Sequence, residues 1–162
     1  MLGRAKADHC VVSCLFFDID EFRRINDGMG RYVASGIIKC MIRKNVPVLN
    51  ARVLQLGITF KENCPDIRNS RAVDVVRALE EFGCNVTVCD PLAQSEDVLR
   101  EYGIDNFYSL PDIPVKENFD VIVLAVAHKA FQSFPYQHFA EKNCIIYDIK
   151  GVVPREWVDE RL

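Results

Sequence analysis

Apolar positions recur at two different spacings, and the change falls at Pro47. Before it, residues 27–44 repeat at the helical period, with Tyr32, Val33, Ile37, Ile38, Met41 and Ile42 able to form one stripe. Asn26 or Asp27 suits the N-cap, and Arg43 and Lys44 suit the negative end of the helix dipole. After Pro47 come short apolar runs at 52–56, 85–89, 121–125 and 144–147, which predict strands. Helical patterns separate them at 70–82, 95–102 and 134–140, and another follows at 154–160. The helix at 70–82 is the clearest, with Asn69 or Ser70 as N-cap and Gly83 placed to end it. Buried strands alternating with helices predict an α/β fold, a Rossmann-like parallel sheet with helices on both faces, preceded by the 27–44 helix.

The candidate chemistry lies between the first strand and its helix, where Leu56 to Ser70 carries Lys61, Asp66 and Arg68. In an open α/β sheet, ligands bind outside the carboxyl ends of the strands. Two cations beside a helix N-terminus suit a phosphorylated ligand, because the free N–H groups and the dipole also favour negative charge. The bland alternative is a solvated loop with weak surface ion pairs. The turn after this strand has no Gly-x-Gly-x-x-Gly; Gly57 stands by itself, so the usual cradle for a dinucleotide pyrophosphate is missing. Asp90 ends the second strand where a ribose-binding acid would stand, but without the glycines Asp90-Pro91 reads as a turn with an exposed acid.

Composition narrows the function classes. Hydrophobic residues at 49% and charged residues at 27% over 162 positions fit one soluble globular domain with a small appendage. A formal charge of -3 argues against broad nucleic-acid binding, and no apolar run reaches membrane-spanning length. Val11 to Phe17 is apolar but lacks the flanks of a secretory signal. Seven scattered cysteines read as reduced, mostly buried thiols of a cytoplasmic protein. The pairs Cys10/Cys14 and Cys84/Cys89 have no second pair at zinc spacing, so no metal site is expected.

The string Gly-Ile-Thr-Phe-Lys-Glu-Asn-Cys-Pro-Asp-Ile-Arg-Asn-Ser at 57–70 resembles the C-terminal domain of the UDP-glucose/GDP-mannose dehydrogenase family. Four further pieces stand in the family's order: Arg-Arg-Ile-Asn-Asp-Gly-Met-Gly at 23–30, Cys-Asp-Pro at 89–91, Ala-Val-Ala-His-Lys-Ala-Phe at 125–131 and Tyr-Asp-Ile-Lys-Gly at 147–151. The branch it resembles oxidises UDP-N-acetylhexosamines for surface polysaccharides, the Vi-antigen type. The resemblance implies a division into an atypical segment at 1–22, the end of a central dimerisation helix at 23–46, and a UDP-sugar-binding domain at 47–162.

It also implies roles. Phe60 and Lys61 match a pair that contacts the UDP-sugar. Lys150 stands where relatives place a basic residue, often arginine, against the substrate. Arg68 matches an arginine reaching towards NAD, the cofactor, which the family binds mainly through an N-terminal domain. Asp66 orients Arg68 or stabilises the loop as an Asx turn. His128 reads as a helix-start histidine bonded to backbone rather than a ligand contact, and Cys64 as structural or pocket-adjacent. The family oxidises the C6 alcohol twice through a cysteine thioester, with hydride passing to nicotinamide. None of the seven cysteines stands in that nucleophile's context. The expectation is therefore the nucleotide-recognising part of a UDP-sugar 6-dehydrogenase, inactive as this chain, that pairs as a homodimer through the 27–44 helix. The alternatives are a non-catalytic nucleotide-binding module and an interaction protein that uses the same helix.

Residues 1–22 do not share the resemblance. Phe-Asp-Ile-Asp-Glu-Phe-Arg-Arg-Ile-Asn-Asp at 17–27 resembles the metal-binding strand and helix of diguanylate cyclases, with Asp18 and Asp20 able to hold a hard divalent ion. The glycine-rich hairpin turn that such cyclases need does not follow. A rearranged reading frame joined to a dehydrogenase tail accounts for the segment better.

Overall fold

A computed structural model describes residues 28–110 and 118–162. The 1–22 segment, with Asp18 and Asp20, lies outside the described residues. Helix α1 occupies 28–43. Among the described residues six strands follow: β1 (Arg52–Leu56), β2 (Asn85–Cys89), β3 (Phe107–Tyr108), β4 (Val121–Leu124), β5 (Ile145–Asp148) and β6 (Glu160–Arg161). Between them run α2 (Ala72–Glu81), α3 (Ser95–Tyr102), a 3₁₀ turn at Lys129–Ser133, α4 (Tyr136–Ala140) and a second 3₁₀ turn at Arg155–Trp157.

The strands are all parallel, in the order β3-β2-β1-β4-β5-β6. This is the order of the doubly wound nucleotide-binding fold, whose direction reverses between β1 and β4. Alternation along each strand divides the core between two faces. Val53, Val121, Val123, Ile145 and Tyr147 pack with α1 and α2. Leu54, Leu56, Ile122, Leu124 and Ile146 pack with Phe131 and Phe139 on the other face. Both faces are therefore covered, which is why the strands read as nearly continuous apolar runs.

Helix α1 packs on its own sheet. Val33, Ala34, Ile37, Ile38, Cys40 and Met41 are buried in the first core cluster. The predicted stripe is right at its centre and wrong at two margins. Tyr32 is 68% exposed and Ile42 63%, because the buried arc is centred on Ile37 and Met41 and leaves those two positions outside it. Gly30 lets α1 approach α2 closely: a Cβ there would stand 2.5 Å from Asp74 Cβ. The C-terminus ties down the other end of α1 through ion pairs of Arg43 with Glu160 and Lys44 with Asp159.

Two parts of the chain depart from the expected elements. The 154–160 segment is not a helix; it makes the three-residue turn at Arg155–Trp157 and then β6. Asp159 causes the change, since its carboxylate accepts the Ile146 N–H at 2.9 Å and draws the chain alongside β5. Strand β3 went unpredicted because two residues carry no periodic signal.

Candidate functional site

The site forms where β1, β4 and β5 end, on one edge of the sheet. Loops after β1 and β5 leave that same edge, so Lys61, Arg68 and Lys150 all follow the carboxyl ends of parallel strands. A cleft of about 270 Å³ opens there. Its walls include Phe60, Thr59, Arg71, Val126 and Lys150, and Met29 of α1 closes one side. Phe60 and Lys150, ninety residues apart in sequence, thus line one cavity. Lys61 and Arg68 are exposed and stand outside its lining.

Arg71 was missed by sequence reading. It precedes α2 directly and lines the cleft beside the helix N-terminus, with Asp74 accepting from its guanidinium at 3.3 Å. A second basic residue just after the Asn69-Ser70 capping signal was the available clue. Arg71 itself holds the N-cap position, one residue later than expected, and the Ser70 hydroxyl before it accepts the Ala72 N–H at 3.3 Å and donates to the Thr59 carbonyl at 3.2 Å.

The loop between β1 and α2 is tightly tied. Phe60 N–H donates to the Asp66 carbonyl at 2.7 Å, closing a ring of backbone. Asp66 grips Arg68 in bidentate fashion, at 3.0 Å from Nε and 2.9 Å from a terminal nitrogen. The same carboxylate accepts the Arg68 backbone N–H at 3.0 Å. Both roles considered for Asp66 therefore hold. Hydrogen bonding to the Arg68 side chain holds the Asp66 carboxyl at about 2, below the usual range. Arg68 itself is exposed.

Asp90 corrects an expectation. It does form a turn, with one carboxylate oxygen accepting the Leu92 and Ala93 N–H groups at 2.9 and 3.1 Å. It is not exposed but fully buried. Its other oxygen receives Ile58 N–H at 2.8 Å, Thr59 N–H at 3.2 Å and His128 Nε2 at 3.1 Å. Burial pushes this carboxyl up, but the hydrogen bonds from His128 and the backbone outweigh it, and the net shift is downward. Saturated in this way, Asp90 has no lone pair to offer a ribose. Sequence reading missed its burial because an acid after a strand ordinarily faces water, and its partner His128 lies in a different motif.

His128 starts the 3₁₀ turn at Lys129–Ser133, and its Nδ1 accepts the Asn63 backbone N–H at 2.9 Å. It is the backbone-bonded histidine expected, with two side-chain partners as well. Gly57 has φ +95°, and a Cβ there would stand 2.4 Å from Val126 Cβ. Val126 thus fills the space next to the lone glycine, where a dinucleotide fold leaves room for pyrophosphate. This turn and the saturated Asp90 do not fit NAD bound in the usual way at this sheet.

Three of the described thiols are poorly placed to act as nucleophiles. Burial pushes Cys89 and Cys144 up to about 12 and raises Cys84 as well. Cys64 is half-buried in the loop. No group of three His, Cys, Asp or Glu side chains among the described residues could hold a metal ion. No described helix is long and apolar enough to cross a membrane.

Comparison with known proteins places this architecture. The family model for the UDP-glucose/GDP-mannose dehydrogenase family, UDP binding domain, matches residues 54–155. A UDP-N-acetyl-D-glucosamine 6-dehydrogenase of Salmonella typhi is 45% identical over 86% of this chain and 33% of its own length. One from Pseudomonas aeruginosa is 41% identical, again over 86% of this chain and 33% of its own length. Among solved structures, a UDP-glucose dehydrogenase from Pyrobaculum islandicum aligns with a TM-score of 0.67 at 25% identity, covering 85% of this chain and 30% of that one. The chain spans about a third of the length of these relatives. It belongs to the UDP-glucose/GDP-mannose dehydrogenase family, of which it carries the UDP-binding domain.

Proposed function

We propose that the cleft beside Phe60 and Lys150 receives the UDP portion of a UDP-sugar. In this reading the chain is the nucleotide-recognising C-terminal part of an NAD-dependent UDP-sugar 6-dehydrogenase, which oxidises a C6 alcohol to the uronate for surface polysaccharide synthesis. The observation that carries it is the meeting of Phe60, Arg71 and Lys150 around one cavity at the carboxyl edge of the sheet. An aromatic face suits a pyrimidine base, and two cations beside a helix N-terminus suit a diphosphate. Lys61 adds a mobile positive charge from the neighbouring position, within reach of phosphate or a polar sugar group. The names of the Salmonella and Pseudomonas relatives support a UDP-N-acetylhexosamine as the substrate class.

NAD belongs to another part of such an enzyme. Arg68, pre-oriented by Asp66, is the residue here that would reach towards it. The chain as it stands turns nothing over in this reading, because none of its cysteines stands in the context of the family's nucleophile and the Gly-x-Gly-x-x-Gly fingerprint is missing. The exposed Tyr32 and Ile42 of α1 are the surface on which a homodimer would form, and the protein works in the cytoplasm, where UDP-sugars are made.

Titration calorimetry with UDP, GDP and uridine tests this reading. UDP should bind, uridine should bind far more weakly for want of the diphosphate, and GDP should be disfavoured by its larger base. Equal affinity for UDP and GDP would contradict recognition of the pyrimidine, and no affinity for UDP would contradict the site.

A further inference from the structure

We infer that His128 and Asp90 are positioning residues for nucleotide recognition, which hold the 59–63 loop in the shape that presents Phe60 and Lys61. The inference rests on the nucleotide-site reading above. The imidazole grips the loop at both ends. Its Nε2 lies 2.8 Å from Thr59 Oγ1, and its Nδ1 accepts the Asn63 N–H at 2.9 Å. Asn63 returns the contact, its Oδ1 accepting the Lys129 N–H at 3.0 Å. Phe60, Lys61 and Glu62 stand exposed between the two grips.

The network has a direction. With Nδ1 accepting, the ring proton is assigned to Nε2, facing Thr59 and Asp90. The Thr59 hydroxyl donates onward to the Lys61 carbonyl at 3.2 Å, so its oxygen is free to accept from the ring. One chain of bonds therefore runs from His128 through Thr59 to the Lys61 peptide. Asp90 anchors its base: Oδ2 accepts the Ile58 and Thr59 N–H groups and shares the single Nε2–H of His128 with Thr59 Oγ1. Both side chains are almost wholly buried, at 1% and 0% exposure. The loop they hold carries a Phe60 that is 57% exposed and so gains little from packing within the chain. Fixing an exposed aromatic from beneath lowers the ordering cost of binding.

The test pairs calorimetry with UDP and site-resolved amide exchange on the full chain, comparing wild type with His128→Ala, His128→Gln, His128→Asn and Thr59→Val. His128→Ala should weaken UDP binding about tenfold or more as preorganisation is lost. Exchange at Phe60 to Asn63 should accelerate, while the amides of Val53 to Leu56 hold. Gln restores a donor near Thr59 and Asn an acceptor near Asn63, so each should recover part of the loss. Thr59→Val keeps the shape, removes the hydroxyl relay and should weaken binding several-fold, which keeps the test open if His128→Ala does not fold. Wild-type affinity and loop exchange in folded His128→Ala would overturn the inference. So would acceleration spread equally into β1, the mark of a merely structural role. Failure of wild type to bind UDP would instead overturn the functional reading, with the exchange pattern still reporting on the clamp.

Discussion

Asp90 and His128 meet as a buried pair, Oδ2 to Nε2 at 3.1 Å, and join the ends of β2 and β4 to the loop leaving β1. Five donors converge on one carboxylate. Removing it would strand several buried N–H groups and the histidine together. Asp90→Ala should therefore destabilise the fold by about 3–5 kcal/mol, read as a lowered urea midpoint with unchanged slope. A loss below 1 kcal/mol would mean that water replaces the carboxylate freely.

The pH dependence follows from opposite shifts at the two ends of the scale. Asp90 is held below its ordinary value in the fold. Its stabilisation is present above the unfolded carboxylate range and is lost as pH falls through the lower, folded value. Cys89 and Cys144 are raised to about 12 by burial. Their effect is stabilising below the unfolded thiol value, and stability declines as pH rises from there towards 12. Denaturation followed across pH should give a plateau near neutrality with losses on both sides. The thiol share of the alkaline loss should shrink in Cys89→Ser, once its own neutral-pH cost is subtracted.

Gly57 holds the tightest contact at the switch point between β1 and β4. Its φ of +95° disfavours any side chain, and a Cβ would strike Val126. Gly57→Ala should cost about 2–5 kcal/mol, combining backbone strain with overpacking, and thermal denaturation would measure it. Gly103 has φ +66° with open space around it, so Gly103→Ala should cost less.

Helix α1 is part of this core. Ile37 is fully buried against the sheet. Ile37→Ala should cost about 2–5 kcal/mol, whereas Tyr32→Ala on the outer side should leave monomer stability nearly unchanged. Equal effects would mean that α1 does not pack as described. If Tyr32 and Ile42 form a homodimer surface, the same Tyr32→Ala should weaken self-association in sedimentation.

Most of the architecture was legible because strands buried on both faces leave unbroken apolar runs. Those at 52–56 and 85–89 coincide with β1 and β2. Those at 121–125 and 144–147 differ by a single residue at their ends. What sequence could not show were contacts between distant positions. Asp90 and His128 are 38 residues apart; Asp90 reads as an exposed turn acid and His128 as a backbone-bonded histidine, and neither position points to the other. Tyr32 and Ile42 match the helical period, but only the sheet's position decides which arc is covered. Arg71 follows the Asn69-Ser70 capping signal, which assigns it to the start of the helix and does not show that it lines the cleft. Strand β6 escaped because Asp159, rather than any periodic pattern, places it.

The central claim concerns the cleft at the carboxyl edge of the sheet. UDP titration of wild type beside Lys150→Ala, Lys61→Ala and Lys142→Ala tests it most directly. Lys142 lies in the turn before β5, at the opposite edge of the sheet. Lys116, which the sequence places on a surface loop, lies outside the described residues. Loss of a lysine–phosphate contact should weaken UDP binding about tenfold in each of the first two variants. Lys142→Ala should bind as wild type does. Equal affinities in all three variants, or a loss in Lys142→Ala alone, would contradict the account.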